Sequence, residues 1–439
     1  MVLKIQNGFL IKSLQGRYYF FQLRKNRKLV CSIFDNKNKK NRSMLLVEDE
    51  RIIDFAADID EEDRIHLIYI NNEGHLTHYT FKNEENEKPK KEYITKLDTR
   101  SNIYSNLNFK LQKNNIIILY SCSNVINPNI WSIHQIIKSE KIKKSTVINT
   151  ISEKFFSPFF MDLDNLGNIH LIYRAKDINS NHIYYTYYNV YINKWNPTPE
   201  KISTLNNDNI FPYLFIDTQN NIHILWEELI NKDYILKSKM LSLTKSNNFK
   251  WVSTSIPTIR NCAYIPIMLE ENGILKIIFS DGEKIKCICS PDYGLSWKYE
   301  KEATAENENM YFIFFRNNSS NFNEKNKINN IYVKLDNSIS FYFSEIQEDF
   351  NTAEKREIDK VQKEETNKET DEEKFSSVED SALESFKKET EIKIEEISNY
   401  IKDNINILYS KTSSLESKIE EIKEILNKNE KKKRFGLFK

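Results

Sequence analysis

Glycine is scarce in this chain of 439 residues, with eight copies, and proline reaches only nine. So few glycines leave little room for phosphate-cradling loops, and neither G-x-G-x-x-G nor G-x-x-x-x-G-K-S/T occurs. Charge of one sign is lacking as well. Lys and Arg total 64 against 63 Asp and Glu, and this net +1 gives no chain-wide basis for nucleic-acid binding. Apolar runs such as Ile116-Ile117-Ile118-Leu119-Tyr120 fall far short of a membrane span. The first eight residues hold no basic region leading into an apolar core, so no secretory leader is expected. Five scattered cysteines, Cys31, Cys122, Cys262, Cys287 and Cys289, make no disulfide framework. Cys287 and Cys289 sit two apart on one strand, without the two further soft ligands a zinc ion needs. The expectation is reduced thiols in a cytoplasmic protein, with no metal and no cofactor.

What is abundant is aromatic: 26 Phe and 23 Tyr. With so little Gly and Pro, this composition points to many strands joined by Asn- and Asp-rich turns. Three segments repeat an Asp, four turn-type residues, then Ile-His and a strand ending in an aromatic. They run from Asp60 to Tyr69, from Asp164 to Tyr173 and from Asp217 to Trp226. The Ile65-to-Ile169 interval is 104, twice 52, and Ile169 to Ile222 is 53. A copy without the Asp and His falls at Ile116, another starts at Ile274, and weaker ones lie near Tyr18 and Ile331. About 50 residues and four strands per repeat is the pattern of a β-propeller blade, whose faces are covered only by packing around an axis. The expected fold is therefore an all-β propeller over residues 1–345, with seven blades favoured and six as the alternative. Val2 to Gln6 is expected to pair beside Ser338 to Phe343 and close the ring, hiding two sheet edges.

Ser290-Pro291-Asp292-Tyr293-Gly294-Leu295-Ser296-Trp297 fits S-x-D-x-G-x-S/T-W without a mismatch. On Ser290, Asp292, Gly294, Ser296 and Trp297 the chain resembles the sialidase-like, Asp-box (BNR-repeat) β-propellers. Locally, Asp292 is placed to accept backbone N–H bonds, Gly294 to take a positive φ, and Trp297 to bury its indole. Trp195 and Trp251 hold comparable positions in the two preceding repeats. The resemblance implies a structural motif lying away from the catalytic face. It also implies, for active members, three substrate-gripping arginines, a Tyr nucleophile activated by Glu, and an Asp acid/base. No Arg here is followed two positions later by Pro, so the family's Arg-Ile-Pro-like anchor is absent. Arg174, Arg260 and Arg316, near strand ends, are the binding-face residues to consider, and no catalytic residue is assigned. The recurring His66, His170 and His223 sit a blade apart, too far to share one ion, and are expected to bond a neighbouring blade.

Composition shifts after Ile346. Residues 346–430 hold 24 acidic and 14 basic side chains, and the last nine hold five basic and no acidic ones. Residues 346–375 read as a charged flexible linker. Over 376–430 a helical period appears, and from Ile401 the apolar steps alternate four and three. Ile405, Thr412, Ile419 and Leu426 fall at one heptad core position, and Leu408, Leu415 and Ile422 at the other. A self-associating coiled coil, dimer or trimer, is expected. The tail 431–439 joins Lys431, Lys432, Lys433 and Arg434 to Phe435, Leu437 and Phe438. That pattern suits an anionic membrane surface or a partner pocket, with a plain solvated basic end as the alternative.

Taken together, these features describe a non-enzymatic interaction protein whose propeller face is multiplied by a coiled coil. The rim loops at 121–130, 174–182 and 227–233 would present that face to a protein or a glycan. The alternative is a sialidase-like glycoside hydrolase or carbohydrate-binding protein. The coiled coil is directly testable. Light scattering of the full-length protein should report two or three chains and fall to one when Leu415 and Ile422 are both changed to Asp. A monomeric wild type at micromolar concentration would refute the heptad reading.

Overall fold

The computed structural model describes residues 6–344, apart from 48–49, 83–87, 113–114, 153–158, 205, 243–249, 305–309 and 319–325. The linker, coiled-coil and tail segments (346–375, 376–430 and 431–439) lie outside the described residues. The described residues contain strands and turns and no helix.

Six sheets are arranged as propeller blades, each led by an inner strand from which three more run outward by antiparallel hairpins. The six inner strands are Gln6–Lys12, Ile52–Ile59, Asn102–Gln112, Phe160–Leu163, Asn209–Ile216 and Ile267–Glu271. The seventh repeat is present but does not stand as a blade. Its three strands, Met310–Asn317, Asn330–Leu335 and Ile339–Phe341, continue the first sheet into a seven-stranded one. The join is a parallel pairing of Gln6–Lys12 with Met310–Asn317, in register from Gln6 opposite Tyr311 to Lys12 opposite Asn317. A further arm of the seventh repeat, Asn326–Lys327, pairs with blade six at Glu270 and Glu271. The last repeat thus spans the two ends of the ring.

This corrects two expectations. Seven repeats give six sheets, because the seventh spends its inner edge on blade one. The closure joins inner strands in parallel and not an outer strand: Gln6 faces Tyr311, while Ser338 bridges to Lys39. Lys40 N–H donates to Asn337 O at 2.8 Å and Ile339 N–H to Asn38 O at 3.0 Å, so the sheet curls onto its own far turn. Residues 2–5 lie outside the described residues.

The repeated Asp-to-His motif has a local explanation. Asp35, Asp60, Asp164 and Asp217 each open a tight turn whose fourth residue, Asn38, Asp63, Gly167 or Asn220, takes a φ of 61–81°. In a three-residue hairpin loop this left-handed residue follows a type I turn. The Asp carboxylate accepts N–H bonds from inside the turn, as from Asn168 at 2.8 Å and Asn221 at 2.8 Å. Its other oxygen meets the histidine six positions on. Nε2 of His223 lies 2.8 Å from Asp217, that of His66 3.0 Å from Asp60, and that of His170 3.3 Å from Asp164. The second ring nitrogens of His66 and His170 face His78 and the Tyr185 hydroxyl, again within the same blade. The histidines therefore brace their own hairpins and do not bond a neighbouring blade, contrary to the sequence reading.

Blades are stitched by a different set of bonds, each spanning one repeat. Asp54 accepts from Leu107 N–H at 2.7 Å, Asp162 from Ile216 N–H at 2.9 Å, and Glu270 from Thr218 N–H at 2.7 Å. Asn106 donates to Phe159 O at 3.2 Å and Gln112 to Gly167 O at 2.8 Å. The inner strands of blades two to six are thereby linked through groups that no sheet ladder reaches.

The graded burial of the Asp–His pairs sets a test. Asp217 and His223 side chains are 0% and 1% exposed, whereas Asp60 and His66 are 22% and 13% exposed. Asp217→Ala should cost about 3–5 kcal/mol, the range for breaking a buried pair. Asp60→Ala should cost about 1 kcal/mol, nearer a single net hydrogen bond. Urea unfolding midpoints check the order, and equal losses would show that burial of the pair is not what matters.

Candidate functional site

The axis is not an open channel. Phe314, from the strand added to blade one, stacks on Phe9 at 4.9 Å between centroids and lies 6.4 Å from Phe160 of blade four. Phe9 also meets Phe55 at 5.4 Å, Phe160 meets Tyr213 at 5.2 Å, and Tyr264 meets Phe312 at 5.5 Å. These rings from the first, second, fourth, fifth, sixth and seventh repeats fill the centre and leave a cavity at each end.

One cavity, of about 600 Å³, opens where the inner strands begin. Its walls combine Phe55, Tyr104, Trp131, Tyr264 and Phe314 with Arg27, Asp54, Ser105 and Asn106. It adjoins a groove of about 530 Å³ running outward across blade three, and Tyr104 and Trp131 line both. Along the groove Tyr104, Tyr120 and His134 form a cross-strand aromatic row, with centroid separations of 5.8 and 5.5 Å. Asn102, Asn124, Asn127, Ser132 and Asn149 supply amide and hydroxyl groups beside it. Apolar faces with a few directed polar groups are the usual make-up of a small-molecule site, and both volumes fall within its usual range of about 300–1,000 Å³.

Asp54 is the only carboxylate among the described residues lining these two cavities. Its oxygens accept from Phe55 N–H at 2.9 Å and Leu107 N–H at 2.7 Å. Burial raises its pKa from 3.8 to about 6, outweighing the two amide bonds and Arg27, which pull it down. Arg27 itself is held at a φ of 64° in a turn and donates to Ile53 O at 3.1 Å. Burial also pushes the Tyr264 hydroxyl up to about 12, so it stays a neutral donor and acceptor.

The other cavity, of about 470 Å³, lies where the inner strands end. Equivalent inner-strand positions there carry Asp58, Lys110, Asp162, Phe215 and Glu270, at spacings of 52, 52, 53 and 55. Arg316 joins them from the seventh repeat, its Nε 3.7 Å from Asp58, and Lys327 reaches Asp162 at 3.1 Å.

The three arginines of the sequence reading divide between the two ends. Arg316 lines the cavity where inner strands end. Arg174 lies near the outgoing end of a second strand, which runs antiparallel to its inner strand and so finishes at the opposite face. On that face Arg260 pairs with Asp233 at 2.7 Å, and Tyr234 of the same hairpin bonds Asp208 at 3.1 Å. Burial lowers the Arg174 pKa, and Asp208 and Tyr234 oppose the shift. The rim loops 121–130, 174–182 and 227–233 do share one face, that of the aromatic cavity, on consecutive blades three, four and five. Arg27, Asp54, Asn106, Trp131 and Tyr264 were missed, since they come from four different repeats and form no motif.

The Asp-box takes the geometry its residues imply. Asp292 accepts from Ser296 N–H at 2.8 Å, the Ser296 hydroxyl at 2.6 Å and the Ser290 hydroxyl at 2.7 Å. Those bonds, led by Ser296, lower its pKa to about 2. Gly294 has a φ of 92°, and a Cβ there would lie 3.2 Å from the His223 ring of the preceding blade. Trp297 is buried and donates to Gly294 O at 3.2 Å. Trp195 and Trp251 differ: their indoles reach back one blade, to Gln135 at 3.2 Å and Glu200 at 3.1 Å. The box closes a third-to-fourth-strand hairpin, on the face away from the aromatic cavity.

No protein-family model and no curated protein matches the sequence. Among solved structures, similarity is found to the six-bladed β-propeller lectin of Aleuria aurantia, at 12% identity and a TM-score of 0.38 over 69% of this chain and 96% of that one. SapL1 lectin bound to alpha methyl fucoside gives 9% identity and 0.39, over 70% and 99%. Polysaccharide lyase Uly1 gives 8% and 0.47, over 77% and 89%. The β-propeller assignment itself follows from the strand order and register above.

Asp54 gives the aromatic cavity a pH signature. Its folded pKa of about 6 exceeds the ordinary 3.8, so its contribution to stability is fully present below 3.8 and is lost as pH rises through 6. In Asp54→Asn the fall in unfolding free energy between these two values should shrink. An unchanged slope would place the titrating group elsewhere.

Proposed function

We propose that the propeller binds carbohydrate, without turning it over, on the face opposite the Asp-box hairpin. One observation carries this reading: the axial cavity and the blade-three groove share Tyr104 and Trp131 and make a continuous path lined by aromatic rings and amides. Aromatic faces pack against the C–H faces of sugar rings, while Arg27, Asn102 and Asn106 offer hydrogen bonds to hydroxyls. The length of the path suits an oligosaccharide better than a single sugar.

The carboxyl count supports binding without hydrolysis. Glycoside hydrolysis ordinarily requires two carboxyl groups flanking the scissile bond, and among the described residues Asp54 is the only carboxylate lining the path, with both oxygens engaged by backbone amides. The Asp-box resemblance to sialidase-like propellers fits this reading, since it sets the ligand face away from the box. A cytoplasmic, self-associating protein would present several such faces at once, and avidity would compensate for weak single contacts.

A second reading, a scaffold for a protein partner, draws on the same face. Ile126 and Ile178, at hairpin tips of blades three and four, are 90% and 87% exposed, with Val125 and Ile130 beside Ile126. Apolar tips of this kind suit a protein surface. A glycan array separates the two readings. The full-length protein should retain a defined oligosaccharide class, and Trp131→Ala and Tyr264→Ala should each weaken binding at least about tenfold. Ile126→Ser should leave it unchanged. Silence on the array together with release of reducing sugar from any polysaccharide would overturn both parts of the proposal.

A further inference from the structure

The cavity at the Asp-box end of the axis is lined by charged groups whose hydrogen-bonding capacity is unevenly spent. Its two lining carboxylates are fully occupied. Asp162 accepts from Leu163 N–H at 2.8 Å and Ile216 N–H at 2.9 Å, and its second oxygen also meets Lys327 at 3.1 Å. Asp217 accepts from the backbone and side-chain N–H groups of Asn221 and faces His223. The donors are another matter. Lys110 lines the cavity with no hydrogen bond or ion pair among the described residues. Arg316 is 9% exposed; one terminal nitrogen donates to Phe315 O and Asn329 O, and its Nε lies 3.7 Å from Asp58, an ion pair without a hydrogen bond. Asn329 Nδ2 is likewise buried and without an acceptor.

A buried donor without an acceptor is costly, and native structures seldom leave several together around one empty volume. Burial, and then Arg316, lowers the Lys110 pKa to about 8, with Asp58 and Asp162 acting in the opposite direction. The amine thus remains largely charged near neutrality, with no ion pair to a described residue. A volume of about 470 Å³ admits far more than a water molecule.

We propose that this cavity is a second binding site, for a small oxyanion: a phosphate or sulfate group, or the carboxylate of a sugar acid. Lys110 supplies the charge, Arg316 and Asn329, which line the cavity, the directed hydrogen bonds, and Lys327 a second cation already anchored by Asp162. The site does not depend on the carbohydrate reading, because the aromatic plug separates the two cavities. An anion here would sit among inner strands of several blades and tie them together.

The test is calorimetric titration of the full-length protein at constant ionic strength in chloride buffer. The probes are inorganic phosphate, sulfate and glucuronate, with glucose as the neutral control. At least one oxyanion should bind with a stoichiometry of one per chain, glucose should not, and Lys110→Gln should weaken binding at least about tenfold. Lys110→Arg should retain it, and Trp131→Ala should leave it untouched. Preference for phosphate and sulfate would identify an inorganic or ester group as the source, and preference for glucuronate a sugar acid. Circular dichroism verifies that Lys110→Gln folds, and Asn329→Ala, a neutral change, gives an independent variant. The proposal is overturned by silence with all three oxyanions, or by wild-type affinity in both Lys110→Gln and Asn329→Ala.

Discussion

The whole architecture hangs on the parallel pairing of Gln6–Lys12 with Met310–Asn317. Without it, six blades in a row would form an open arc whose two terminal blades each have one face uncovered. The seventh repeat resolves this by dividing itself. Its inner strand completes the hydrogen bonding of blade one, and its Asn326–Lys327 arm covers the inner edge of blade six. The same strand carries Phe312 and Phe314 to the axis, where they meet rings from blades one, four and six. Closing the ring and plugging its centre are one event. Both axial cavities exist because that plug is shorter than the strands around it.

Much of the fold was legible because its turns have strict chemistry. A left-handed residue four positions into each hairpin leaves few choices, and an Asp that satisfies the turn leaves a mark that repeats every 52 or 53 residues. The Asp-box was legible for the same reason. What could not be read was which backbone edge pairs with which. Ladder bonds use N–H and C=O groups common to every residue, so the run Phe9-Leu10-Ile11 announces a buried strand but not its neighbour. The sequence reading therefore misplaces the ring-closing strand and favours seven blades, although its alternative of six matches the sheets. The role of the histidines was misjudged because strand periodicity says which face a side chain takes, and not that a turn six residues back presents a carboxylate to it.

The axial sites were the least legible, for a geometric reason. Residues converging on an axis come from different blades, so Arg27, Asp54, Tyr104, Trp131 and Tyr264 are scattered over more than half of the described chain. None stands in a motif. Arg316 was singled out among strand-end arginines, and the structure brings it to Lys110 and Asn329 rather than to Arg174 or Arg260. The two ends of the axis differ in kind: one presents aromatic surfaces and amides, the other cations held against saturated carboxylates. The Asp–His pairs of blades two, four and five fix where those inner strands turn outward, at the end of the axis that holds the cations.

The closing pair also sets the order of events at the ribosome. Gln6 meets Tyr311, a partner about 300 residues later in the chain. At about 5–20 residues per second, blade one would wait roughly 15–60 s with its innermost edge unpaired. Blades two to six can form in that interval, because their hairpins are local, but none can cover the waiting edge in its native register. Contacts of such sequence separation slow the last step of folding and prolong exposure to strangers' strands. Among the described strands, the free edge of Gln6–Lys12 waits longest for its native partner.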